Sequence, residues 1–214
     1  MGFDKTISNI LIPDPHRIDK FRKNKIGLFF GTFNPIHNGH MIIANYILEF
    51  SDLEQIFFVV SPQNPFKKKS GLLEDYHRLA LVQEAIGDND KYLASDIEFK
   101  MPKPSYTIDT LTYLQEKYPK KEFSLIMGSD NLLNFHKWKN YNQIINNYKI
   151  IVYPRPNFIQ KDYSVIPKLE IINAPLMEIS ASFIRESVKN KKDIRYFMPE
   201  RAWKYLKEMH FYEK

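Results

Sequence analysis

Short apolar runs alternate with helical periodicities along most of this chain, and that alternation restricts the fold more than any other feature. Ile26–Phe30, Gln55–Ser61, Phe123–Met127 and Lys149–Tyr153 have strand length, and each is closed by a glycine or a proline. Continuous apolar character over so few residues fits strands buried on both faces. Tyr92–Ser95 and Ile171–Ile172 are weaker strand candidates. Helical patterns fall between them. One starts at Asn38, where Met41–Phe50 is apolar nearly all round. Others are Glu74–Ile86, Tyr106–Tyr118, Trp138–Ile145, Ser180–Lys189 and Pro199–His210. In Tyr106–Tyr118 the residues Ile108, Leu111, Leu114 and Tyr118 share one face. Glu74 and Arg78 stand four apart, as a surface ion pair on a helix would. Strand–helix alternation predicts an α/β fold, a Rossmann-like doubly wound and mainly parallel sheet with helices on both faces. Ligands of such sheets bind beyond the carboxyl ends of the strands, near the point where the strand order reverses.

A chain of 214 residues suits one such domain. Residues 1–24 hold Pro13, Pro15 and a basic run without a sustained period, and are expected to be an N-terminal extension to a domain spanning 25–214. The chain has no cysteine, which excludes disulfides and thiolate metal sites and is compatible with a cytoplasmic location. The longest strongly apolar stretch is half the length of a membrane span, and the acidic start does not resemble a secretory leader. The net charge of +6 favours anionic partners. A basic nucleic-acid-binding protein is the rival reading from that charge. However, the lysine clusters at 20–25, 67–69, 117–121 and 189–192 are dispersed and no nucleic-acid motif accompanies them. No nucleic acid and no membrane are therefore expected as partners. A homo-oligomer is compatible with the sequence, which leaves the oligomeric state open.

The segment Gly31-Thr32-Phe33-Asn34-Pro35-Ile36-His37-Asn38-Gly39-His40 joins the first strand to the first helix. Gly31 and Gly39 allow a ligand to approach the backbone. The amides of the following helix N-terminus favour phosphate. His37 and His40, three apart, point the same way from a helical first turn and can donate hydrogen bonds to phosphate oxygens. A metal site is the weaker alternative, since no third ligand is near.

Every fixed position of Gly-x-Phe-x-Pro-x-His-x-Gly-His is present, so the chain resembles the nucleotidyltransferases that carry a His-x-Gly-His signature. The resemblance implies that Gly31, Thr32, Phe33, His37, Gly39 and His40 bind ATP, with His37 and His40 stabilising the transition state. Ile179-Ser180-Ala181-Ser182-Phe183-Ile184-Arg185 is similar to the Ile-Ser-x-Ser-x-Ile-Arg signature of the same group. It implies a second phosphate cradle from Ile179, Ser180, Ser182 and Arg185, with Arg185 also catalytic. Ser180 alone would read as a helix cap, and Arg185 alone as a surface residue.

Three further segments resemble the nicotinate-nucleotide adenylyltransferases within that group. Pro62-Gln63-Asn64-Pro65-Phe66-Lys67, with the spacing Pro-x-x-Pro-x-Lys, looks like the proline-rich lysine loop of that family, implying that Lys67 reaches a substrate phosphate. Ser105-Tyr106-Thr107-Ile108-Asp109-Thr110-Leu111 implies that the backbone near Tyr106 and Thr107 meets the nicotinate carboxylate. Gly128-Ser129-Asp130 with the downstream Trp138-Lys139 implies ribose contacts from Asp130, ring stacking by Trp138 and backbone donors near Lys139. Asn34 is assigned to the substrate side of the first turn. Without the resemblance, Trp138 reads as a core residue at a helix start, and Thr107 or Asp109 as a helix cap.

The resemblance implies adenylyl transfer from ATP to nicotinate mononucleotide, giving the deamidated dinucleotide and pyrophosphate. The mononucleotide 5′-phosphate would attack the α-phosphorus in line, without a protein nucleophile. Mg2+ would arrive with ATP, held by phosphates and water rather than by a protein cage. A nicotinamide-mononucleotide or dual-specificity enzyme differs by one group, amide against carboxylate, and stays open as the alternative.

Overall fold

The computed structural model describes residues 24–62, 71–156 and 163–214. The segment 1–23, most of the expected extension, and Lys67 lie outside the described residues. The strands are β1 (Lys25–Gly31), β2 (Gln55–Val60), β3 (Tyr92–Ser95), β4 (Glu122–Gly128), β5 (Lys149–Tyr153) and β6 (Leu169–Ile171). The helices are α1 (Asn38–Phe50), α2 (Asp75–Ile86), α3 (Thr107–Lys117), α4 (Ser129–Leu132), α5 (Tyr141–Asn147), α6 (Ala181–Lys189) and α7 (Glu200–Glu208).

The strands form one six-stranded sheet in the order β3-β2-β1-β4-β5-β6, and every pairing is parallel. The chain runs outward through β1, β2 and β3, then returns to the centre and runs the other way from β4. The order therefore reverses between β1 and β4. Pleating sends alternate side chains to opposite faces. In β5, Ile150 and Val152 join the core under α3 and α5, while Ile151 and Tyr153 join the core under α1, α2, α6 and α7. Each central strand thus needs apolar residues at consecutive positions, which is the run seen in the sequence. On α3, Ile108, Leu111 and Leu114 are buried, the face that its periodicity predicts.

Two helix expectations change. The helix expected over Trp138–Ile145 is a 3-10 turn at Phe135–Lys137, an extended Trp138, and a helix that starts only at Tyr141. Asn140 takes a left-handed conformation (φ 52) and separates the two pieces. Trp138 is apolar for a different reason than helix periodicity: its ring meets Phe135 edge-on, with centroids 5.1 Å apart. The second change concerns Arg78. It is fully buried and bonds Asp75, not the predicted Glu74.

Candidate active site

The loops after β1 and β4 meet at the reversal point and border a cleft of about 200 Å3. Gly31 and Thr32 contribute from the first turn. Tyr106 and Thr107 come from the start of α3, and Asn131, Trp138 and Lys139 from the chain after β4. Four of the expected substrate residues, Tyr106, Thr107, Trp138 and Lys139, therefore share one wall although they lie in two separate segments. No side chain caps the first turn of α3, so the predicted caps Thr107 and Asp109 do not fill that role. Asp109 instead accepts Lys139 Nζ at 2.9 Å, and the same ammonium lies 4.6 Å from the Tyr106 ring centre.

From the cleft the first turn leads to the paired histidines at the start of α1. Their rings stack at 3.7 Å between centroids and 28° between planes. The His37 backbone N–H donates to His40 Nδ1 at 3.3 Å. His37 Nδ1 is buried and has no hydrogen-bond partner among the described residues. Burial lowers the His37 pKa to about 4, with a smaller contribution from Arg155. Burial also holds His40 well below the usual histidine range, helped by His37 and Arg155. Both rings are thus neutral at pH 7, which lets them stack without charge repulsion.

Gly31 also has a packing reason, beyond its place on the cleft. A Cβ there would stand 2.8 Å from the Phe33 ring, which folds back under it with Phe33 at φ 43. Phe33 is 2 % exposed and supports the His40 ring edge-on at 5.2 Å between centroids. Its side chain is thus a floor for His40, and only its backbone is left for a ligand. Asn34 is also turned inward: its amide bonds Gly71 O, Leu73 N and Tyr212 Oη.

The second expected phosphate segment reaches the first. A Cβ on Gly39 would lie 3.5 Å from Ile179 Cβ, so the N-termini of α1 and α6 are neighbours. Arg185 Nη1 donates to Asn34 O at 2.8 Å, and Nη2 to Ser182 Oγ at 3.2 Å. Ser180 Oγ caps α6 by accepting from Phe183 N at 3.1 Å. Asp130 is exposed, with a carboxylate oxygen 3.9 Å from Arg155 Nε.

Three residues of this region are not assigned to the site by sequence patterns. Arg155 follows β5, lies over the Tyr153 ring, and has a buried Nε without a hydrogen-bond partner among the described residues. Glu98 lines the cleft at 2 % exposure and receives the hydroxyls of Ser105 and Thr110. It thereby fixes the segment that carries Tyr106 and Thr107. Arg78 donates to the carbonyls of Leu73, Thr32, Ser61 and Pro62, holding the chain ends beyond β1 and β2 together. A basic residue just past a strand end was the available signal for Arg155. Nothing in the local sequence distinguishes Glu98 or Arg78 from surface charges.

The described residues hold no group of three or more histidine or acidic side chains that would bind a metal ion. No helix among them is long and apolar enough to cross a membrane.

The cytidylyltransferase-like family model matches residues 28–187, so this doubly wound sheet with paired histidines at its first helix belongs to the nucleotidyltransferase class. A Flavobacterium psychrophilum protein named "Probable nicotinate-nucleotide adenylyltransferase" is 56% identical over 192 residues, covering 89% of this chain and 100% of the relative. A Bacteroides fragilis protein of the same name is 46% identical, covering 85% and 90%. The chain belongs to the nicotinate-nucleotide adenylyltransferase family. A solved structure, the Plasmodium falciparum nicotinic acid mononucleotide adenylyltransferase complexed with NaAD, shares the fold. Its TM-score is 0.73 at 22% identity, over 89% of this chain and 98% of that one.

Proposed function

We propose that residues 25–214 transfer the adenylyl group of ATP to nicotinate mononucleotide, in the cytoplasm, as a step in making NAD. The observation that carries this reading is the joining of two walls at one sheet reversal. Gly31 and Thr32, from the turn that leads to the paired histidines, border the same cleft as Tyr106, Thr107, Trp138 and Lys139, and the α6 start adjoins the α1 start.

On the phosphate side, the amides at the starts of α1 and α6 would receive the triphosphate. Neutral His37 and His40 each have an N–H to donate, and these bonds strengthen as charge develops during transfer. Arg185, already oriented by Asn34 O, would carry the β- and γ-phosphate charge. Arg155 is placed to add charge between Asp130 and the histidines. Gly31, Thr32 and Gly39 would contribute backbone, and Ile179 and Ser182 the rim. Lys67 remains assigned to a substrate phosphate.

On the acceptor side, Trp138 offers a face for the pyridine ring. The uncapped first turn of α3, near Thr107, offers amides to the carboxylate. An uncharged amide substituent would gain less there, which favours the acid over the amide substrate. Asp130 would accept from ribose hydroxyls.

Mg2+ would be brought by ATP, supplying charge neutralisation on its phosphates. Hard oxygen ligands suit it, and the first turn presents imidazoles and amide donors, so substrate phosphates and water would supply its shell. The 5′-phosphate oxygen of the mononucleotide then forms a bond to the α-phosphorus as the bond to pyrophosphate breaks. With ATP labelled at the α-phosphate, the label is expected in the dinucleotide and none on protein. Label retained on the protein after denaturation would overturn direct transfer.

A further inference from the structure

The C-terminal tail reaches the first turn across the molecule. Phe211 is buried and packs on the rings of His77 and Tyr205, at 4.7 and 5.8 Å between centroids. The next residue, Tyr212, takes a left-handed backbone conformation (φ 63). That turn sends its hydroxyl to Asn34 Oδ1 at 2.6 Å, between residues 178 apart in sequence.

Asn34 is the junction of several segments. Its Oδ1 also accepts from Leu73 N at 3.2 Å, and its Nδ2 donates to Gly71 O at 2.8 Å. Its own carbonyl accepts Arg185 Nη1 at 2.8 Å. Two donors on one carbonyl oxygen, with a third contact from the amide nitrogen, fix the plane of the side chain. Burial raises the Tyr212 pKa, so the hydroxyl keeps its proton, and its role as donor, at physiological pH.

We propose that Tyr212 is a positioning residue for adenylyl transfer: its hydroxyl orients Asn34, and through Asn34 it sets the Gly31–His40 turn and the Arg185 guanidinium. This rests on the reading of that turn as catalytic. A displacement of about 1 Å in a positioned group is enough to cost a large factor in rate. The effect falls on turnover, because the aligned geometry is that of the transition state, while the contacts that bind ground-state ATP and mononucleotide remain.

Tyr212→Phe keeps the ring and removes only the hydroxyl. Its kcat is expected to fall about tenfold, with KM for both substrates within about twofold and melting within a few degrees. Arg185→Lys, and the double variant Tyr212→Phe with Arg185→Lys, complete a cycle. Because both act on one guanidinium, their losses should combine to less than their product. An unchanged kcat in Tyr212→Phe, or losses that multiply, would overturn the proposal. Assays run well below the melting temperature of each variant keep lost folding out of the comparison. His40→Ala, assayed in parallel, separates the two readings. If it is inactive while Tyr212→Phe is fully active, only the positioning role fails. If it is fully active, the catalytic reading of the turn fails, and the positioning role with it.

Discussion

The His37 backbone N–H donates to His40 Nδ1 at 3.3 Å, which places the proton of the neutral His40 ring on Nε2. His40 is thereby a fixed N–H donor at the start of α1. Its ring is held from below by Phe33 and from the side by His37.

Removing that donor should leave the fold intact and reduce turnover. For His40→Ala, kcat is expected to fall by ~10² or more, as for loss of one transition-state donor. Circular dichroism checks the fold, and pyrophosphate release checks the rate. A normally folded variant with wild-type turnover would remove His40 from the mechanism.

The buried rings also make ligand-free stability depend on pH. The His37 pKa is lowered from 6.5 to about 4 in the folded protein, by burial first and Arg155 second. Between those values the unfolded chain binds a proton that the folded chain excludes, so stability falls as pH drops from 6.5 towards 4. The loss for this group is about 3 kcal/mol, and the effect is absent above pH 7. Urea unfolding at several pH values measures it. His37→Asn should reduce the slope, His40 supplying what remains, and an unchanged slope would contradict the burial argument. ATP, bringing negative charge to the same rings, should raise their pKa and bind with proton uptake at acidic pH. That uptake appears as a buffer-dependent binding enthalpy.

Trp138 is the most direct test of the acceptor wall. Trp138→Ala should raise KM for nicotinate mononucleotide about tenfold and leave KM for ATP nearly unchanged. Equal effects on both substrates would show that the ring supports the cleft rather than stacking on the pyridine.

Arg78 is expected to act on stability. Arg78→Met leaves Asp75 without its closest partner and four backbone carbonyls without their donor. The loss should be about 3 kcal/mol, or about 10 °C in melting temperature. A shift under 2 °C would mean that water replaces the guanidinium at little cost.

The pattern of these residues explains what the sequence made visible. Strands such as Lys149–Tyr153 are legible because burial on both faces demands an uninterrupted apolar run. The contacts that organise the site are not legible, because they join distant segments through single polar atoms. Arg78 reads locally as a partner of Glu74 on a helix surface, yet its guanidinium lies in the interior among carbonyls. Tyr212 and Asn34 carry no pairing signal at all across the length of the domain. The resemblance placed Tyr106, Thr107, Trp138 and Lys139 in common, and the cleft brings them together. It assigned Asn34 and Phe33 to ligands; their side chains face inward and hold the turn, so that assignment falls on their backbone. Trp138 imitated a helix position because its ring packs against Phe135, outside any helix.

The central claim is that this site joins AMP from ATP to an acidic pyridine mononucleotide. Pyrophosphate release from magnesium-ATP tests it most directly, with nicotinate mononucleotide, nicotinamide mononucleotide and phosphopantetheine compared side by side. The account predicts the highest kcat/KM with nicotinate mononucleotide, a clearly lower value with the amide and none with phosphopantetheine. No release with nicotinate mononucleotide would contradict it.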